Sequence, residues 1–141
     1  MKKVAIACVL FLSISSLSNA QGIVFEHNKS WNEIVQKAKA ENKLIFMDAY
    51  TVWCGPCKAL QARVFPDKEL GEYFNANFIN AKIDMEHGEG PTLASKFRVR
   101  AYPTLFFIDP NTQKVVTQAL GFRQIEDLMQ IGKQATAKKS I

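Results

Sequence analysis

Cys54 and Cys57 are two of only three cysteines in the chain, and they stand in a CxxC spacing. A thiolate, not a thiol, attacks a disulfide, so the chemistry open to such a pair is set by which sulfur is more easily ionised. An apolar run, Leu44 to Met47, leads through Asp48-Ala49-Tyr50 to the pair, and helix signals resume after Cys54. That order puts the cysteines where a strand ends and a helix begins. The unpaired N–H groups and dipole of a helix start favour negative charge on the first sulfur, which makes Cys54 the nucleophile. Its attack gives a mixed disulfide, and Cys57, one turn along, is placed to displace the product and close an intramolecular bridge. A zinc site is the competing use of a CxxC, but zinc takes about four ligands. Beyond Cys8, near the start of the chain, there is no further cysteine, and His27 and His87 read as surface residues. No metal is assigned, and no cofactor is required, because the electrons travel on sulfur.

The elements that must position the pair follow from periodicity. Ser30 with Glu33 fits a capping box, and Trp31, Ile34, Val35 and Ala38 give an amphipathic helix to about Asn42. Leu44 to Met47 reads as a buried strand. A helix continues from the cysteines through Val64, is interrupted at Pro66-Asp67, and is followed by a short helix with Leu70, Tyr73 and Phe74 on one face. Phe78 to Asp84 is a second strand, Met85 to Pro91 a polar loop, and Thr92 the cap of a short helix through Phe97. Thr104 to Ile108 and Lys114 to Leu120 are strands of an antiparallel hairpin turned at Asp109-Pro110-Asn111-Thr112. Ile125, Leu128, Met129 and Gly132 mark a last helix, with a polar, disordered tail from about residue 136. Strands alternating with helices, then a hairpin and a helix, predict an α/β fold with a mixed sheet.

Length and composition set the wider frame. The chain has 141 residues, 48% hydrophobic and 22% charged, which suits one globular domain. Seven scattered glycines and five prolines exclude collagen-like and low-complexity classes. Met1-Lys2-Lys3, the apolar Val4 to Ser18 and the small residues Ser18-Asn19-Ala20 read as a bacterial signal peptide over 1–20, cut after Ala20 to leave a domain over 21–141. Loss of Lys2 and Lys3 lowers the formal charge from +5 to +3. The remaining cations are interspersed with acids, so no nucleic-acid stripe is present. The expected location is the periplasm or the outside of the cell, where disulfides persist.

Trp53-Cys54-Gly55-Pro56-Cys57, with Asp48 six residues before the first cysteine and Tyr102-Pro103-Thr104 opening a strand, resembles the thioredoxin superfamily over nearly all of 22–135. The resemblance implies a thioredoxin fold, a central mixed sheet flanked by helices. It also implies that Cys54 is the exposed nucleophile, that Cys57 is the buried resolving cysteine, that Asp48 lies under the site, and that Pro103 is cis and faces the cysteines. Burial of a carboxyl on an apolar strand raises its pKa, which would let Asp48 take the proton of Cys57 as general base. A cis bond before Pro103 would leave the backbone of Tyr102 free to pair with an extended substrate strand. Trp53, Gly55, Pro56, Tyr102 and Pro103 thus form the expected substrate-facing set, with Trp53 and Tyr102 as an apolar platform. A Gly-Pro pair between the cysteines goes, in the family, with reducing proteins.

Two departures from cytosolic thioredoxins stand out. Tyr50-Thr51 replaces a Trp-Ala pair, and Asn80 takes the place of the lysine near the buried acid, with Lys82 two residues later on the same strand face. Together with the leader, the segment Tyr50-Thr51-Val52-Trp53-Cys54 and the long loop Met85 to Pro91 look like periplasmic thioredoxin-like proteins, and are similar in character to the soluble C-terminal domain of the membrane-spanning disulfide reductase. The implied activity is a thiol:disulfide oxidoreductase, acting as a monomer that reduces disulfide-containing proteins and receives electrons from a membrane thiol transporter. An oxidase or isomerase of the same fold, and a non-catalytic binding module using the Trp53, Tyr102 and Pro103 surface, are the alternatives.

Overall fold

The computed structural model describes residues 22–139, and the segment read as a signal peptide lies outside them. The described chain runs as α1 (Trp31–Ala40), β1 (Leu44–Tyr50), α2 (Gly55–Arg63), α3 (Lys68–Asn77), β2 (Phe78–Asp84), α4 (Gly90–Lys96), β3 (Thr104–Ile108), β4 (Val115–Leu120) and α5 (Ile125–Lys139). The strands form a sheet in the order β2-β1-β3-β4. The β1–β2 pair is parallel, while β1–β3 and β3–β4 are antiparallel. This is the mixed sheet flanked by helices that the alternation of elements predicts.

β1 is central, and its alternating side chains feed two cores. Leu44 and Phe46 join Leu60, Phe74, Leu105, Phe107 and Leu128 on the face covered by α2, α3 and α5. Ile45, Met47 and Ala49 join Ile34, Val35, Leu93, Phe106 and Ile108 on the face covered by α1 and α4. A strand covered on both sides needs a nearly continuous apolar run, which is why Leu44 to Met47 shows no polar alternation. Phe46 is the aromatic centre, with Phe74 and Phe107 at ring-centroid distances of 4.9 and 5.2 Å.

Several boundaries differ from those the sequence suggests. α1 stops at Ala40, where Glu41 caps it and Asn42 takes a left-handed φ of 52°. α4 starts at Gly90 with Glu89 as N-cap, not at Thr92, and Pro91 occupies its first turn, where a missing N–H costs nothing. The glycine is required: a Cβ on Gly90 would stand 1.8 Å from the Asp84 carbonyl oxygen. β4 begins at Val115, because the Lys114 carbonyl is spent on closing the turn to the Asp109 amide. The tail expected to be disordered from about 136 continues α5 through Lys139, with Ala135 buried in the core and the Lys139 ammonium bonded to the Asn42 carbonyl.

An arm over 22–26, which periodicity alone does not reveal, is laced to the segment after α2 and to the edge strand β2. The Ile23 amide donates to the Phe65 carbonyl at 2.7 Å, and the Glu26 amide donates to the Asn80 carbonyl at 2.8 Å. The Asn80 side-chain amide donates to the Val24 carbonyl at 3.1 Å. The residue standing where the family keeps a lysine therefore fastens the arm.

Candidate functional site

Cys54 is the N-cap of α2, with extended backbone, and its sulfur accepts the Cys57 amide at 3.2 Å. The Cys54 amide is itself held by the Thr51 carbonyl at 3.3 Å, so the loop leaving β1 delivers the sulfur to the helix mouth. Pro56 sits in the first helical turn, leaving the Cys57 amide as the donor aimed at Sγ. An amide and a helix dipole so placed favour negative charge at that sulfur. The two cysteines are joined as a disulfide with Cα atoms 5.3 Å apart. Cys57 is fully buried, and Cys54 is 3% exposed. The expectation of an exposed Cys54 is thus corrected for the oxidised form: its sulfur is bonded to Cys57 and turned in to cap α2, which buries the residue.

Trp53 and Tyr102 come from loops 49 residues apart and meet edge-on, with ring centroids 5.9 Å apart. Trp53 is 63% exposed, so it is a surface platform and not a core residue. The Tyr102–Pro103 bond is cis, and Pro103 is buried. Its turn is fixed on both sides, by the Thr104 hydroxyl donating to the Ala101 carbonyl at 2.7 Å and by the Gly121 amide donating to the Pro103 carbonyl at 2.8 Å. The Trp53–Tyr102 contact brings this loop to the cysteine loop. Gly55 and Pro56 are exposed at the same helix start.

Asp48 is fully buried on β1. Strand alternation places its side chain on the face of Leu44 and Phe46, the face on which Leu60 of α2 packs, so it lies toward the cysteine helix. Among the described residues, no donor is within hydrogen-bonding geometry of either of its oxygens. Burial drives its pKa up to about 6, against the downward pull of Lys82. Lys82 is its register partner on β2, with Nζ 3.5 Å from Oδ2, close enough for an ion pair but long for a hydrogen bond. The same ammonium lies 3.6 Å from the centroid of the Tyr50 ring. Burial lowers the pKa of Lys82, with the Asp48 and Asp84 charges opposing it. The lysine two residues away from the family position is thus the one that meets the acid.

One residue at the site carries no signal in the sequence. Glu86 accepts the Trp53 indole N–H on both carboxylate oxygens, at 3.0 and 3.1 Å. It stands in a loop that Asp84 shapes, by accepting the Glu86 amide at 3.0 Å on Oδ1 and pairing with His87 Nδ1 at 2.8 Å on Oδ2. Only its place in a polar loop following β2 hinted at it. His27 and His87 are on the surface, as expected.

A dithiol/disulfide pair at a helix start, above a buried acid in this sheet, defines the thioredoxin class of fold and site. The thioredoxin family description matches residues 22–134, and the chain belongs to that family. It is 32% identical over 123 residues to chloroplastic thioredoxin F2 of Arabidopsis thaliana, a match that spans 87% of this chain and 62% of that protein. With thioredoxin-1 of Drosophila melanogaster it shares 36% identity over 72 residues, 51% of this chain and 63% of that protein. The chain therefore spans less than two thirds of the length of these relatives. The solution structure of a candidate disulphide-isomerase from Bacteroides thetaiotaomicron is 42% identical, with a TM-score of 0.70, covering 83% of this chain and 96% of that one. The oxidised DsbD C-terminal domain of Neisseria meningitidis shares the fold at 18% identity, with a TM-score of 0.62 over 73% of this chain and 90% of that domain.

Proposed function

We propose that this protein is a thiol:disulfide oxidoreductase that reduces disulfides in periplasmic or secreted proteins. The observation that carries the reading is the Cys54 sulfur at the mouth of α2, taking the Cys57 amide while bridged to Cys57. In the reduced protein the Cys54 thiolate attacks a client disulfide. One client sulfur leaves as a thiolate and is protonated, and a mixed disulfide remains. Cys57, giving its proton to Asp48, then attacks Cys54 Sγ and releases the second client thiolate. The client gains two electrons, and the protein ends with the Cys54–Cys57 bridge. With its pKa near 6, Asp48 is mostly ionised at neutral pH and can accept that proton. Trp53, Gly55 and Pro56 face the client directly, and the buried cis Pro103 sets the backbone of Tyr102 beside them. The leader reading supports the location, and a membrane thiol transporter is the donor class that would re-reduce the bridge there.

Insulin reduction by the mature protein with dithiothreitol tests this. The expected result is turbidity well ahead of dithiothreitol alone, lost in Cys54→Ser; no acceleration would overturn it. The likeness to the candidate disulphide-isomerase favours a second reading, in which the same pair reshuffles or introduces disulfides. The reduction potential separates the two. A value near about −270 mV marks a reductase, about −180 mV an isomerase, and about −120 mV an oxidant.

A further inference from the structure

The contact between Trp53 and Glu86 gives the client-facing surface a fixed charge. We propose that Glu86 makes this surface selective for disulfides flanked by basic residues and disfavours those flanked by acidic ones; the proposal rests on the oxidoreductase reading and names its substrate class. Trp53 directly precedes Cys54 and is the most exposed aromatic beside the sulfurs. A segment that presents a disulfide to Cys54 meets this exposed indole beside it. Both oxygens of Glu86 are held at the indole N–H, so the carboxylate is anchored at the rim and is not one of many conformers of a free side chain. Of the other acids here, Asp84 is turned to His87 and to the Glu86 amide, and Glu89 accepts the Trp31 amide at 2.7 Å, which leaves Glu86 as the charge presented to the client.

The cations on either side leave that charge in place. Lys58 is on α2, one residue past Cys57, and among the described residues it forms no ion pair with Glu86. Arg98 and Arg100 line a groove with Val99, Thr104 and Leu120, and among the described residues neither forms an ion pair with Glu86. A fixed charge at an exposed rim acts over roughly one Debye length, about 8–10 Å, and changes encounter and orientation more than the strength of any one contact. A client lysine brought over Trp53 falls within that range, and a client glutamate there is repelled.

The test compares three disulfide peptides that differ only in the residues flanking the bridge, which are lysine, glutamine or glutamate. With the full mature protein, Glu86→Gln is expected to lower the lysine-to-glutamate ratio of kcat/KM by about three- to tenfold, and 0.5 M salt should lower the wild-type ratio in the same way. Glutamine retains an acceptor for the indole, so the Trp53 Nε1–H resonance should stay near its wild-type position in Glu86→Gln and move in Glu86→Ala. A ratio unchanged in Glu86→Gln, with the glutamine peptide still reduced, overturns the selectivity alone. Failure of the wild-type protein to reduce any of the three overturns the oxidoreductase reading as well.

Discussion

Lys82 Nζ stands 3.5 Å from Asp48 Oδ2 as its register partner across β1 and β2, and 3.6 Å from the Tyr50 ring centroid. The buried acid therefore has a cation that is itself held against an aromatic face, two residues from where family likeness puts a lysine. Tyr50 is one of the two positions where the chain departs from the Trp-Ala pair. The ring and the displaced lysine are one feature, because an ammonium leaving bulk water is favoured by both the carboxylate and the ring face.

Asp48 should destabilise the protein above pH 6. Its folded pKa of about 6 exceeds the ordinary value of 3.8, so the folded state holds the proton that the unfolded state has released. Stability from this group then falls as pH rises from about 4 to 6 and is flat above. Asp48→Asn should be more stable than wild type at pH 8 by about 1–3 kcal/mol, with the loss of the Lys82 counter-charge offsetting part of the gain. The difference should close toward pH 4. Urea unfolding of the oxidised forms across this range measures it, and equal stability at pH 8 would contradict the burial argument.

Removing the ammonium acts in the opposite sense on the same carboxyl. Lys82→Met keeps the apolar stem, deletes the charge and should raise the pKa of Asp48 above its wild-type value. The carboxyl carbon chemical shift of Asp48, followed against pH, reports this directly. A midpoint that stays put would mean that Lys82 does not act on Asp48.

Loss of the resolving thiol should trap the intermediate. Reduced Cys57→Ser, mixed with a disulfide client, is expected to accumulate a covalent adduct stable on non-reducing gels and released by dithiothreitol, while Cys54→Ser forms none. Adducts that form equally with Cys54→Ser would reverse the assigned roles.

Gly90 tests the approach of α4 to the end of β2. Its Cβ position is 1.8 Å from the Asp84 carbonyl oxygen and 2.7 Å from the Met85 Cα, both backbone atoms that cannot swing aside. Gly90→Ala should cost about 2–4 kcal/mol in unfolding free energy and should also move the Trp53 indole resonance, since the displaced loop carries Glu86. A wild-type melting temperature would refute the tight packing.

The local chemistry was legible because it depends on short-range spacing. An apolar run, an acid and a CxxC before helix signals put Cys54 at a helix start, where the helix dipole favours negative charge. Asp48 could be read as buried because β1 has no polar alternation around it. Glu86, by contrast, sits 33 positions from Trp53, and nothing in its neighbours marks it as the acceptor of that indole. Thr92 looked like a cap because threonine favours caps, but the close approach of Gly90 to Asp84 starts the helix two residues earlier. Residues 136–139 looked frayed by composition, yet burial of Ala135 and the Lys139 contact to Asn42 carry the helix through them.

Short-range patterns were enough to find the cysteine pair at a helix start and the mixed sheet that holds it, since these follow from period and helix polarity. That Lys82 faces Asp48, that Asn80 fastens the arm and that Glu86 holds Trp53 came from long-range packing. Those partners lie on different elements, and strand register and loop closure set their meetings. In a parallel pair, a shift of one residue sends a side chain to the opposite face of the sheet. The choice between Asn80 and Lys82 keeps the face, and here the arm takes the first and the buried carboxylate the second.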